Sequence, residues 1–160
     1  MDFTAKINTL EVKNLIQGIK KKQKKAIKTA LNRVSNMAVL MITKRTQSGK
    51  LPDGGRMIPY AKATKEDRKN RGRQVGFVDL TDSGKMFRSL DYRNTGFKST
   101  LFFANKEREK IAFRHDFVGV GKKKTKRPFF AIGNKEEDKI VNEFTKFYFS
   151  QIRIWAKEKI

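Results

Sequence analysis

The sequence predicts an α+β fold: a small antiparallel sheet packed against a long N-terminal helix and a C-terminal helix, with a long extended arm. Three observations carry this expectation. Apolar residues recur every three or four positions from Leu15 to Ile42, the period of a helix with one buried face. The same period returns over Ile140, Val141, Phe144, Phe147, Tyr148, Ile152 and Trp155. Between the two, SLDYRNTGFKSTLFFAN, residues 89–105, alternates about a glycine-containing turn, as a hairpin does.

Taken in order, FTAKINTL, residues 3–10, alternates loosely and reads as an edge strand. The first helix follows, its apolar side built from Ala26, Ala30, Val34, Ala38 and Ile42 and its opposite side from Lys20, Lys21, Lys22, Lys24, Lys25 and Lys28. Ser48 and Gly49 end it. Periodicity then disappears over residues 49–79, which hold five glycines, two prolines and a basic run from Lys62 to Arg73. This segment is expected to be a long arm, tied down at its ends by Met57, Ile58, Tyr60, Phe77 and Val78 and mobile in the middle.

In LTDSGKMFRSL, residues 80–90, Asp82 or Ser83 is placed to cap a short helix that turns Leu80, Met86, Phe87 and Leu90 to one side. Gly84 is a cap or close-packing position. The hairpin comes next, with Asn94-Thr95-Gly96 as its turn and Phe97, Leu101 and Phe103 on one face. Residues 106–118 form a short helix with Ile111, Ala112 and Phe117 inward. A basic loop over residues 119–128 leads to a brief strand of Phe129, Phe130 and Ile132. Gly133 and Asn134 open the last helix, where Glu136, Glu137 and Asp138 face the positive end of the helix dipole. No linker divides the chain, so residues 1–160 are expected to be a single domain.

Composition narrows the chemistry. The chain has 160 residues, 38 Lys and Arg against 16 Asp and Glu, and a net charge of +22. Such a surface calls for a negative partner: nucleic acid, an acidic protein or an anionic membrane. The longest clean apolar run is Met37–Ile42, against roughly 20 residues needed to span a bilayer, so no membrane partner is expected, nor is a secretory leader. Cysteine is absent and His115 is the one histidine. That excludes disulfides, thiolate chemistry and multi-histidine metal sites, and Asp116 follows His115 too closely to orient its ring. GVGKKKTK lacks the spacing of a phosphate-binding loop. No enzyme and no cofactor are expected.

The segments GGRMIPYAKAT, LTDSGKMFRSL, AFRHDFVGVG and KRPFFAI, in that order before a final amphipathic helix, resemble the tail-completion and head-tail joining (virion morphogenesis, neck) proteins of tailed bacteriophages. In that family a proline segment precedes a threonine, as Pro59 precedes Thr64. A Thr/Ser-Gly-x-Leu-x-x-Ser-Leu/Ile element is matched by Ser83, Gly84, Met86 or Phe87, Ser89 and Leu90. A histidine near a glycine then leads to Arg-Pro-Phe-Leu, matched by His115, Gly119, Arg127, Pro128, Phe129 and Phe130. Met86 and Phe130 stand where the family has Leu, and His115 lies one residue further from its glycine.

The resemblance implies a structural subunit of the virion neck or tail end, assembled in the host cytoplasm, with no catalytic residues. Its implied partners are further copies in a ring, expected to be hexameric, then tail tube or sheath proteins, neck or head-completion proteins, and packaged DNA passing through the ring. Gly84, Ser89, Leu90, Pro128 and Phe129 are its structural motif. Partner or DNA contacts are expected from Lys122, Lys123, Lys124, Lys126 and Arg127 and from Arg68, Lys69, Arg71 and Arg73. The lysine loop is expected to be disordered alone and to order on an acidic face, with Arg127 gripping a carboxylate. The alternative reading is a basic nucleic-acid-binding protein, in which the same basic runs track a phosphate backbone.

Overall fold

A computed structural model of the chain describes residues 9–157. Helix α1 runs Thr9–Gln47, α2 Lys62–Asn70 and α3 Lys85–Arg88. The hairpin strands β1 Leu90–Thr95 and β2 Lys98–Phe103 follow, then α4 Lys106–Phe113, one wider helical turn over Arg114–Val118, and α5 Asn134–Lys157. The fold is α+β: a two-stranded antiparallel sheet packed on the long first helix and on α3 and α4, with the long last helix also laid against the first.

Helices α1 and α5 pack side by side and antiparallel. Arg45 near the end of α1 pairs with Glu136 in the first turn of α5. Arg33 pairs with Glu143 at 2.6 Å and stacks on Phe147, its guanidinium carbon 5.1 Å from the ring centre. Further out, Ala26 and Lys22 meet Ile152 and Trp155. The apolar α1 residues buried along this course are Ala26, Ala30, Val34, Ala38 and Ile42, one every four residues. Small side chains there let the two backbones come close.

The main core lies at the Arg45 end. Ile42, Met57, Val78, Met86, Phe87, Leu90, Phe103, Ala112 and Phe129 form one cluster. Phe129 is fully buried and meets Phe87 edge-on at 5.9 Å. Burying a ring of that size contributes about 2–3 kcal/mol. The hairpin turns Leu90, Tyr92 and Asn94 of β1 inward, opposite Phe103, Leu101 and Ser99 of β2. Its polar end is also anchored, because Ser35 of α1 shares hydrogen bonds with Ser99 at 2.6 Å and Asn94 at 3.3 Å.

Several expectations are corrected. The edge strand at residues 3–10 falls mostly outside the described residues, and Thr9 and Leu10 are already helical. Residues 49–79 are not an open arm: they contain α2 and close on themselves through a Lys50–Arg56 bridge. The hairpin turn is Gly96-Phe97 and not Asn94-Thr95-Gly96, because Thr95 still pairs with Lys98. Gly96 takes φ +60°, which suits the first position of a two-residue turn. Phe97 is thereby carried to the tip, 73% exposed.

Phe117 is also exposed, because the wider helical turn over Arg114–Val118 rotates it off the face that Ala112 buries. Phe129, Phe130 and Ile132 form no strand; Asp116 takes the N–H groups of Phe129 and Phe130 that a neighbouring strand would have taken. The stripe of α5 is half-covered where α1 reaches it, while Val141 remains exposed.

Candidate assembly surface

The four segments that carry the family resemblance meet in one place, and Tyr60 lies at its centre. The guanidinium carbon of Arg68 sits 4.6 Å from the Tyr60 ring centre and that of Arg127 5.7 Å from it. Arg68 donates to the carbonyls of Gln74 at 3.0 Å and Thr81 at 3.1 Å, and to both oxygens of Asp79 at 3.0 and 3.2 Å. The Tyr60 hydroxyl donates to Asp79 at 3.0 Å. Burial, with Asp79 beside it, raises the Tyr60 pKa, so the phenol stays neutral.

Arg127 donates to the carbonyls of Ile58 at 3.1 Å and Pro59 at 3.3 Å. Its own N–H donates to the His115 carbonyl at 2.7 Å. Burial lowers its pKa, yet a guanidinium keeps its proton under such conditions. Arg68 and Arg127 are therefore 4% and 5% exposed, interior braces and not free contacts. This corrects their sequence assignment as partner or DNA contacts: each charge is spent on carbonyls and, for Arg68, on a carboxylate.

The other motif residues are structural as well. Gly84 takes φ +70° as the residue before α3, a conformation an L side chain enters only with strain. Neither expected cap is made in full. Ser83 Oγ lies 3.4 Å from the Lys85 N–H, and Asp82 pairs instead with Arg71 at 2.6 Å. Ser89 donates to the Met86 carbonyl at 2.7 Å, and its own carbonyl accepts the Ala104 N–H at 2.7 Å. Leu90 and Phe129 are core residues, and Pro128 is exposed between Arg127 and Phe129.

Lys122, Lys123, Lys124 and Lys126 are exposed. Their loop closes as a tight turn: Val120 and Thr125 exchange N–H···O bonds of 3.0 Å each, and Lys124 N–H donates to the Gly121 carbonyl at 3.0 Å. The bridge leaves the lysine tips free in water, where their repulsion is small. Lys69, Arg71 and Arg73 are exposed on or after α2. Arg71 is neutralised by Asp67 at 2.5 Å and Asp82 at 2.6 Å, hydrogen bonds that raise its pKa.

His115 is half-buried, and its Nδ1 has no partner. Burial first, and the Arg127 charge second, lower its pKa to about 4, so the ring is neutral at pH 7. It borders a 280 Å³ pocket with Tyr60, Arg68, Arg108 and Ser83. Asp116 faces the other way: its Oδ1 accepts the N–H of Phe129 at 2.6 Å and of Phe130 at 3.0 Å. His115 and Asp116 thus serve different neighbours. Among the described residues no group of three or more His, Asp or Glu is placed to hold a metal ion, and no helix is long and apolar enough to cross a membrane.

Sequence reasoning missed an apolar patch. Phe113, Phe117 and Val118 are 55%, 58% and 48% exposed, the two rings 5.2 Å apart. Phe113 and Phe117 border a groove of 180 Å³ floored by Leu101, Phe102, Phe103 and Phe130. The chain leads from Val118 directly into the lysine turn. The i, i+4 spacing of Phe113 and Phe117 is visible in the sequence, but the wider helical turn that moves Phe117 outward is not. A comparison with protein-family models, curated proteins and solved structures finds no match to the chain.

Proposed function

We propose that this chain is a structural virion subunit of a tailed bacteriophage, completing the tail end and joining tail to head as one subunit of a neck or tail-terminator ring. Its partners on this reading are further copies of itself, tail tube or sheath proteins, and neck or head-completion proteins. The observation that carries it is the uncovered Phe113–Phe117–Val118 patch with its adjoining groove. Contiguous exposed aromatics of this kind mark surfaces that other proteins cover, and aromatic rings anchor such interfaces. The lysine turn beside it supplies a rim that steers toward acidic neighbours.

The four resembling segments support the same reading from another side. They span 79 residues of sequence, from Gly54 to Ile132, yet Arg127 binds the first of them and Asp116 binds the last. Phe87 of the second packs on Phe129 of the last. The similarity therefore concerns one packed unit and not scattered tripeptides.

The test is assembly. Purified protein, alone and with virions lacking it, is followed by native mass and by electron microscopy of the particles. Wild-type protein is expected to appear as a ring at the tail end and to restore joined particles. Phe113→Ser with Phe117→Ser is expected to leave the monomer folded and abolish joining. Joined particles at normal yield with that double variant, or a strict monomer in the particle, sink the reading.

A further inference from the structure

The outer face of α1 carries a second feature, which the assembly reading does not use. From Lys13 to Pro52 the sequence contains no Asp or Glu. Within that stretch Lys13, Lys20, Lys21, Lys24, Lys25 and Lys28 are exposed and fall on one side of the helix, away from Ala26, Ala30 and Val34, which α5 and the core cover. At 1.5 Å per residue the lysines extend over about 22 Å. The neighbouring part of α5, from Phe144 on, also lacks acids and adds the exposed Lys146 and Arg153.

The two other basic runs differ from this one in both charge and reach. In the run from Lys62 to Arg73, which itself holds Glu66 and Asp67, Arg68 and Arg71 are paired with Asp79, Asp67 and Asp82. The lysines at 122–126 sit on a single tight turn. Among the described residues the α1 lysines make no ion pair, and they are spread along a helix. Lys20 and Lys24, Lys21 and Lys25, and Lys24 and Lys28 stand four residues apart, where like charges repel and weaken the helix. Unpaired, regularly spaced charge along a rigid rod is matched by a partner whose own charge is continuous and regularly spaced.

We infer that this face of α1 binds the phosphate backbone of duplex nucleic acid, without regard to sequence. A duplex presents one negative charge per about 1.7 Å of its axis, so a 22 Å rod of lysines lies along phosphates throughout its length. Lysines are compact point charges without the planar fork that reads a guanine edge, and they position a protein on a backbone without specifying bases. A lipid surface fits less well. A helix lying in a membrane interface buries a broad apolar face beside its basic one, whereas α5 covers the apolar side of α1 from Ala26 on, and among the described residues only Ile16 is a large apolar side chain exposed beside these lysines. This inference stands apart from the ring: the lysine rod would bind duplex whether or not the chain joins heads to tails.

The experiment measures anisotropy of a labelled duplex of about 25 base pairs between 50 and 300 mM salt. Three proteins are compared: wild type, Lys20→Gln/Lys24→Gln/Lys28→Gln, and Lys122→Gln/Lys123→Gln/Lys126→Gln. Each triple removes the same charge, and Gln keeps the helix propensity of Lys. Wild type is expected to bind with micromolar affinity at 100 mM salt and a log–log salt slope near −5, from about five to six phosphate contacts at 0.9 each. The α1 triple is expected to bind at least tenfold more weakly and to lose about 2.7 from the slope. The turn triple is expected to change the slope by less than about 1. Equal losses in the two triples, or no duplex binding by wild type, overturn the site. So does wild-type binding to vesicles containing phosphatidylserine in the absence of duplex binding.

Discussion

Arg127 Nε donates to the carbonyl of Ile58 at 3.1 Å, across 69 residues of chain. A residue that the sequence places in a run of surface cations is thus the brace that ties the end of the basic turn to the segment before α2. Removing it leaves the carbonyls of Ile58 and Pro59 short of a donor and uncovers Tyr60. Arg127→Ala is expected to cost about 2–4 kcal/mol, read as a lower urea midpoint. Lys123→Ala, fully in water, should stay within about 0.5 kcal/mol of wild type. Arg127→Lys should recover only part of the loss, since an ammonium lacks the fork that reaches both carbonyls. An unchanged midpoint for Arg127→Ala would show that water replaces the side chain there without cost.

That inversion shows where sequence reading succeeds and where it stops. The course of α1 was legible because Ala26, Ala30, Val34, Ala38 and Ile42 repeat every four residues, and α5 because its apolar stripe does the same. The hairpin was legible from its alternation. Helix α2 was not, because KATKEDRKN has no apolar stripe: its one inward residue is Arg68, held by polar bonds that hydrophobic periodicity does not register. A one-residue difference in the turn was enough to move Phe97 from the inner face to the tip. Of the candidate site, the exposed lysines were legible as charge. The burial of Arg68 and Arg127 depends on Tyr60 and on carbonyls up to 69 residues away, and no local pattern encodes that.

His115 provides a titration that can be watched directly, since it is the only imidazole in the chain. Its folded pKa lies at about 4, below the ordinary 6.5. A base with a lowered folded pKa is protonated first in the unfolded chain. The stability held by neutral His115 is therefore complete above pH 6.5 and is lost as the pH falls from 6.5 toward 4. The loss amounts to about 3 kcal/mol. Urea unfolding of wild type should weaken across that window, and His115→Asn should flatten the dependence. Proton NMR of the ring should show a midpoint well below 6; a midpoint near 6.5 would mean that the ring is as wet as in the unfolded chain.

The lysine turn hangs on Gly119, which takes φ +91° and ψ 155°, a region essentially reserved for glycine. A Cβ there would stand 2.1 Å from the Lys124 carbonyl oxygen, so Gly119→Ala must break the Val120–Thr125 bridge as well as strain its own backbone. The cost is expected to be about 2–4 kcal/mol, with tryptic cleavage after Lys122 or Lys123 much faster than in wild type. Gly121 shares a positive φ but has open space around it. Gly121→Ala should cost about 1 kcal/mol and leave the cleavage rate nearly unchanged. Equal behaviour of the two variants would show that the turn is already open in solution.

Ala30 tests how closely α1 and α5 approach. It is fully buried and lies on α1 between the level where Arg33 meets Glu143 and the level where Ala26 meets Ile152 and Trp155. Ala30→Leu adds three carbons that the pair can admit only by separating, which would strip contacts from the half-buried rings of α5. Overpacking of this kind is expected to cost about 1–3 kcal/mol, read as a lower urea midpoint. Leu40→Ala serves as the comparison, because Leu40 is on the same helix but 55% exposed, and it should change stability by no more than about 0.5 kcal/mol. If Ala30→Leu leaves the midpoint unchanged, α5 is not held against α1 along this stripe, and its half-covered aromatics await another surface.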